Sequence, residues 1–296
     1  MQLLAIDIGG TNVKLGLVDE QGQVSHQTHF PTLMHELETF ESRLLNHLEI
    51  YDTNPFKGIA ISCTGLASQE NLTIGEGNPI LEAFGKTMPQ LLMNQYKLPV
   101  SVENDGNCSI LAEHWLGAAK GYHNVISIVI GTSIGGAIMI NNQLYKGNHL
   151  LAGEFGYSLF KQPNQQWEIW SIVGSTQGMV NQFNHHTSGI EIFQRYHQRN
   201  PEAIKVVEDF IEKLAVQCYN LQYILDPDVI LIGGGVSEEP VLIPLVENKI
   251  KEIIDKIPSN VIIPKIARCH FGNNANLIGA SKHWLNIYEK NKGEKS

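Results

Sequence analysis

Twice along this chain a buried-type apolar run ends in a glycine-rich turn and resumes as a second apolar run. Residues 3–8 lead into Gly9-Gly10-Thr11 and then residues 13–18. Residues 125–130 lead into Gly131-Thr132-Ser133-Ile134-Gly135-Gly136 and then residues 137–140. Each reads as strand, turn, strand. Two such openings in 296 residues predict two halves of similar plan, since that length is about two ordinary domains' worth. In the first half, residues 23–30 read as a third strand and residues 33–50 carry apolar residues at helical spacing. Residues 58–63 and 98–102 are short continuous apolar runs, as in a sheet covered on both faces, and residues 107–116 read as a helix. This is an α/β pattern with a mixed sheet. Near residues 117–121 the pattern restarts. After the second opening come a helix over 201–225, a strand over 229–232, the triplet Gly233-Gly234-Gly235 and a helix over 241–257. A strand around 261–263 and a last helix over about 274–287 close the chain. The boundary is placed at residue 117, giving domains 1–117 and 118–273, with a C-terminal helix, 274–296, packed back on the first.

Charge narrows the function classes. Lys and Arg total 21 against 30 Asp and Glu, a formal net charge of −9. That balance disfavours nucleic acid and anionic membranes as partners. A small anion stays admissible, because backbone N–H groups and one metal ion bind it locally. Cys63, Cys108, Cys218 and Cys269 are scattered with no CxxC pair, so reduced thiols in a cytoplasmic protein are expected rather than disulfides or structural zinc. The first residues meet Asp7 without a basic stretch, so no secretory leader is expected. Residues 121–145 lack Asp, Glu, Lys and Arg, yet their glycines and asparagines make poor membrane-spanning material.

Five segments are candidates for chemistry, and each has an ordinary alternative. In Asp7-Ile8-Gly9-Gly10-Thr11-Asn12-Val13-Lys14, the glycines let backbone N–H groups approach a phosphate. Asp7 suits Mg²⁺ held through water, and Lys14 adds positive charge; the alternative is a plain Gly-Gly hairpin. The Gly131–Gly136 stretch is neither a Walker A loop nor a Rossmann fingerprint, because a strand follows it. Asn104-Asp105 closes a strand and opens a helix. Capping explains that placement, and so does an Asp at the C-terminal end of a sheet strand that takes a proton from a substrate hydroxyl. Glu154, in Gly153-Glu154-Phe155-Gly156-Tyr157, suits two adjacent sugar hydroxyls or a solvated turn. Gly233-Gly234-Gly235 suits a nucleoside lying against backbone or a helix-entry turn. The twelve histidines show no metal-ligand spacing.

In this order the segments resemble the ROK family of sugar kinases, in the actin-like ATPase superfamily. The match includes Glu103-Asn104-Asp105-Gly106-Asn107-Cys108 and closes on Asn276-Leu277-Ile278-Gly279-Ala280. The resemblance implies two RNase H-like domains with mixed sheets and an interdomain cleft, and ATP with Mg²⁺. It implies Asp105 as general base toward a sugar 6-hydroxyl, and Asn78, Asn104, Asp105, Glu154 and Tyr157 around the sugar. Gly9, Gly10, Thr11, Lys14, Gly131, Thr132, Gly135 and Gly136 would face the phosphates, Asp7 the metal, and Gly233, Gly234 and Gly235 the nucleoside. A homodimer is also implied.

One departure from the family is informative. Tyr157 stands where most members have His, and residues 158–182 contain no cysteine, so no zinc site is expected. That variant looks most like the zinc-free bacterial β-glucoside kinases, which phosphorylate cellobiose at the 6-hydroxyl of its non-reducing glucose. Trp167 or Trp170 would stack on the second sugar. A glucokinase or N-acetylmannosamine kinase is the alternative within the class. A ROK-type transcriptional repressor is disfavoured, since no helix-turn-helix precedes Leu3, and a sugar-binding module without turnover is disfavoured by Asp105 and both glycine turns.

Overall fold

The computed structural model describes residues 2–33, 36, 39–51, 55–74, 88–183, 186–257 and 262–289. Asn78, expected near the sugar, and the end of the 274–296 helix lie outside them. Two compact units divide the described residues: those of Met1–Lys120, Asn148–Leu151 and Asn273–Ser296, and those of Gly121–Gly147 with Ala152–Gly272.

The elements run β1 (Gln2–Ile8), β2 (Asn12–Asp19), β3 (Val24–Pro31), α1 (Phe40–Leu48), β4 (Ile59–Cys63), β5 (Ala67–Ser68), β6 (Thr73–Ile74), α2 (Met88–Tyr96), β7 (Val100–Asn104) and α3 (Asp105–Leu116). The second unit holds β8 (Val125–Ile130), β9 (Ile134–Ile140), β10 (Gln143–Leu144), β11 (Leu159–Lys161), β12 (Trp167–Ile169), α4 (Trp170–Val173), α5 (Thr176–Phe183), α6 (Gly189–His197), α7 (Pro201–Leu225), β13 (Val229–Gly233), α8 (Leu242–Ile254) and β14 (Ile266–Arg268). Helix α9 (Ala275–Tyr288) belongs to the first unit. The sheets are ordered β3-β2-β1-β4-β7 and β10-β9-β8-β13-β14. In each, an antiparallel hairpin opens the sheet and two parallel strands extend it. Both units therefore have the RNase H-like plan.

Strand alternation decides what each face of the first sheet meets. Leu4, Ile6 and Ile8 of β1, Ile59, Ile61 and Cys63 of β4, and Val100 and Val102 of β7 enter one core with Phe40, Leu44 and Leu48 of α1. Apart from Leu3, the alternate residues are smaller or polar: Ala5, Asp7, Ala60, Ser62, Ser101 and Glu103. Small side chains let a helix lie close, and that helix is α9. Its Leu277 packs with Ala5 and Val18, and its Ala280 and Trp284 pack with Leu3, Ala60 and Cys108. Each such fully buried large apolar side chain is worth about 1.5–3 kcal/mol.

Helix α7 shows its boundaries in the sequence. Asn200 accepts from the N–H groups of Glu202 and Ala203, Pro201 begins the helix, and Asp226 ends it in the left-handed region at φ 45°. Elsewhere expectation and structure part. The helical spacing over 33–50 becomes helix only from Phe40, and Leu33 is left-handed at φ 47°; residues 34, 35, 37 and 38 are not described. The expected strand at 261–263 is misplaced. Ile262 and Ile263 are exposed and outside any strand, and the parallel partner of β13 is Ile266–Arg268. Pro264, which has no N–H, separates the apolar pair from that ladder. Among the described residues, no helix is long and apolar enough to cross a membrane.

Candidate active site

Three polar residues stand side by side across the parallel strands of the first sheet. Asp7 pairs in register with Ser62, and Ser62 with Glu103, so all three point toward the α9 face. Asp7 is buried. Its Oδ1 accepts from Ser62 Oγ and from Asn276 Nδ2, both at 3.1 Å, and its Oδ2 lies 3.8 Å from Lys14 Nζ. Burial pushes the Asp7 carboxyl above its usual value; Lys14 and the two hydrogen bonds oppose that. A buried carboxylate of this kind fits Mg²⁺, which keeps most of its waters and takes one or two acids. The structure thus joins Asp7 and Lys14, as the sequence motif placed them, and adds Ser62 and Asn276. Ser62 carries no signal in sequence, and Asn276 only its place in the closing motif.

Asn104 and Asp105 stand where β7 hands over to α3, and the capping reading of the pair holds. Asn104 caps α3, its Oδ1 accepting from Asn107 N–H at 3.2 Å. Its Nδ2 donates to Gly65 O and to Asp105 Oδ1, each at 3.1 Å, and Asp105 Oδ1 also accepts from Gly106 N–H at 2.8 Å. The Asp105 carboxylate is thereby oriented through one oxygen, at a helix start where the backbone dipole favours an anion. Behind it, burial and the charges of Asp105, Glu103 and Asp7 raise the Cys63 thiol well above its ordinary value, and burial does the same to Cys108. Both stay unreactive thiols.

The glycine turns differ in use. Gly9 O accepts from Thr32 Oγ1 at 2.7 Å and Thr11 O from Thr32 N–H at 2.8 Å, leaving Gly10 and Thr11 exposed at the tip. In the second unit, Gly131 O accepts from Thr176 N–H at 3.0 Å, and Thr132 is exposed. Gly135 and Gly136, expected in this turn, instead lie inside β9. A Cβ on Gly136 would overlap the Phe155 ring, and one on Gly153 would meet Ala137 at 2.9 Å. Those two glycines let the Glu154 segment latch onto β9. Gly233 ends β13, Gly234 has φ +85° and a Cβ there would fall on the Ile130 carbonyl, and Gly235 opens a short 3-10 turn.

Glu154 is half-buried, and loss of solvent raises its carboxyl above the usual 4.5. Tyr157 is 68% exposed. Of the two tryptophans expected to stack, Trp170 is fully buried in the unit's core and is ruled out. Trp167 is 62% exposed. It lies across from Lys161 in the β11–β12 hairpin, on the face that carries Leu159 and Ile169.

The two RNase H-like units place the chain in the actin-like ATPase fold class, and its similarity to known proteins makes it an ATP-dependent sugar kinase. The chain belongs to the ROK family, whose model matches residues 3–287. Beta-glucoside kinase of Klebsiella pneumoniae is 31% identical over 303 residues, covering 97% of each chain. Beta-glucoside kinase of Listeria innocua is 30% identical over 311 residues, covering 99% of this chain and 100% of its own. A ROK family protein from Streptococcus pneumoniae, solved in complex with sucrose, matches with a TM-score of 0.86 at 32% identity, over 98% of this chain and 100% of that one.

Proposed function

We propose that this kinase transfers the γ-phosphoryl group of ATP to the 6-hydroxyl of a β-glucoside such as cellobiose. The observation that carries the reading is the Asp105 carboxylate, tied through Oδ1 to its own helix start. In this reading Asp105 takes the hydroxyl proton as the sugar oxygen attacks the γ-phosphorus in line and ADP departs. Such transfers need positioning and charge neutralisation more than a strong base. Asn104 Oδ1 has a second lone pair for a sugar hydroxyl, and Glu154, with Asn78 and Tyr157, binds others. Gly9, Gly10, Thr11, Lys14, Gly131 and Thr132 hold phosphates, with Gly135 and Gly136 acting through β9, and Gly233, Gly234 and Gly235 flank the nucleoside. Asp7 holds Mg²⁺ through water, and the ion, when bound, neutralises phosphate charge. The protein acts in the cytoplasm as a homodimer.

Support for β-glucosides over free sugars comes from the 30–31% identity to two kinases of that name and from the exposed Trp167. Steady-state assays with glucose, N-acetylmannosamine, cellobiose and an aryl β-glucoside test it. The highest kcat/KM is expected on a β-glucoside, and a free monosaccharide outperforming every β-glucoside would overturn the assignment. Trp167→Ala is expected to raise KM for cellobiose about 3- to 10-fold, the worth of one stacking contact, and to leave KM for glucose unchanged.

Glu154 adds a pH signature. Only the ionised carboxylate accepts from two hydroxyls. Its raised pKa therefore places the loss of sugar affinity above the ordinary 4.5. KM for the sugar is expected to climb as pH falls through that window. Glu154→Gln is expected to raise KM about 10- to 100-fold at neutral pH, the cost of losing hydrogen bonds to a charged group, and to flatten the climb. A Gln variant with the wild-type pH profile would remove Glu154 from the sugar site.

A further inference from the structure

We propose that Glu103 and His283 form a positioning pair that holds the Asn104–Asp105 turn in its reactive geometry. The inference rests on reading Asp105 as the base. Glu103 is completely buried, and a carboxylate is costly to bury without compensation. Its partners are two members of the turn: Oε1 accepts from the Asn104 backbone N–H at 2.9 Å and from Asn107 Nδ2 at 3.0 Å. Oε2 lies 3.5 Å from His283 Nδ1. That contact is an electrostatic approach rather than a hydrogen bond; from Glu103 Oε1 onward, hydrogen bonds run to Asp105. The Asn107 N–H reaches Asn104 Oδ1, and Asn104 Nδ2 reaches Asp105 Oδ1.

Capping alone needs only Asn104. The buried acid beneath it adds a second constraint, on the peptide that joins strand to helix. His283 comes from the other end of the chain, in α9. Seven residues earlier on the same helical face, Asn276 donates to Asp7. Helix α9 thus touches both ends of the Asp7–Ser62–Glu103 row, and the pair makes the terminal helix part of the catalytic apparatus. A shift of about 1 Å in a reacting group costs roughly 100-fold in rate, so the constraint shows in kcat rather than in nucleotide binding.

The test compares Glu103→Ala, Glu103→Gln and His283→Leu, each alone and with Asp105→Asn, by kcat, KM, nucleotide affinity and melting temperature. Glu103→Ala is expected to lower kcat about 10- to 100-fold with KM for ATP within twofold. Glu103→Gln, whose Oε1 still accepts from Asn104 and Asn107, is expected to recover most of that loss. His283→Leu is expected to lower kcat about 3- to 10-fold, and it decides the matter if Glu103→Ala does not fold. On the Asp105→Asn background, residual turnover at high enzyme concentration is expected to change less than threefold, because groups acting through one another are not additive. The pair is refuted by wild-type kcat in a folded Glu103→Ala or, where that variant does not fold, in His283→Leu. Losses that multiply with that of Asp105→Asn also refute it. Wild-type turnover in Asp105→Asn alone would instead refute the base, which separates the two failures.

Discussion

Asp105→Asn is expected to lower kcat by roughly 10²- to 10⁴-fold, the range for removing a general base, while ATP binds as before. The substitution is chosen because the structure isolates one property. Asn keeps an Oδ1 that accepts from Asn104 Nδ2 and from the Gly106 N–H, two contacts that orient the native side chain. The turn, the cap and the start of α3 therefore persist, and only the capacity to take a proton is lost. Calorimetry with a non-hydrolysable nucleotide measures the first half of the prediction, and a coupled ADP-release assay the second. If phosphorylation continues at the wild-type rate, the base lies elsewhere. If nucleotide binding disappears as well, Asp105 has a structural duty that its hydrogen bonds do not reveal.

The largest expected effect on stability is at Gly279. This residue lies in the middle of α9, and a Cβ placed there would fall on the backbone carbonyl of Cys108 in α3. A backbone atom inside a helix cannot swing aside as a side-chain tip can, so Gly279→Ala must force the two helices apart. Ala is the better helix former by about 1 kcal/mol, which opposes but does not cancel the clash. Overpacking of this kind costs about 1–3 kcal/mol and at times more. At the upper end of that range the melting temperature falls by about 6–12 °C for units of this size. Activity is expected to fall too, since α9 carries Asn276 and His283 to Asp7 and Glu103. A thermal scan of the variant decides the point, and an unchanged melting temperature would show that the helices separate freely.

Much of the architecture is legible before any coordinates. The β1 and β8 openings are announced by apolar runs on either side of glycines, because a tight turn and a two-residue side-chain period are both local properties. Helix α7 is equally plain, from its Asn-Pro start and sustained apolar spacing. Gly135 and Gly136 are less transparent. A glycine required by a turn and a glycine required by a neighbouring ring have the same letter, and only the Phe155 contact separates them. Trp170 and Trp167 pose the same problem. They lie three residues apart, yet one opens α4 and is sealed in the core while the other begins β12 and is open to solvent.

The chemistry divides along a similar line. Asp7, the Asn104-Asp105 pair and Glu154 stand out in the amino-acid order alone, since each is an acid or amide set against glycine or at a strand-to-helix junction, where local geometry exposes a side chain. The partners that hold them do not stand out. Ser62, Glu103, Asn276 and His283 reach the first unit's site from β4, β7 and α9, and His283 is 180 residues beyond Glu103 in the chain. Strand order, register and the crossing of α9 bring them into polar contact. Those contacts are non-local, and no short stretch of residues encodes them.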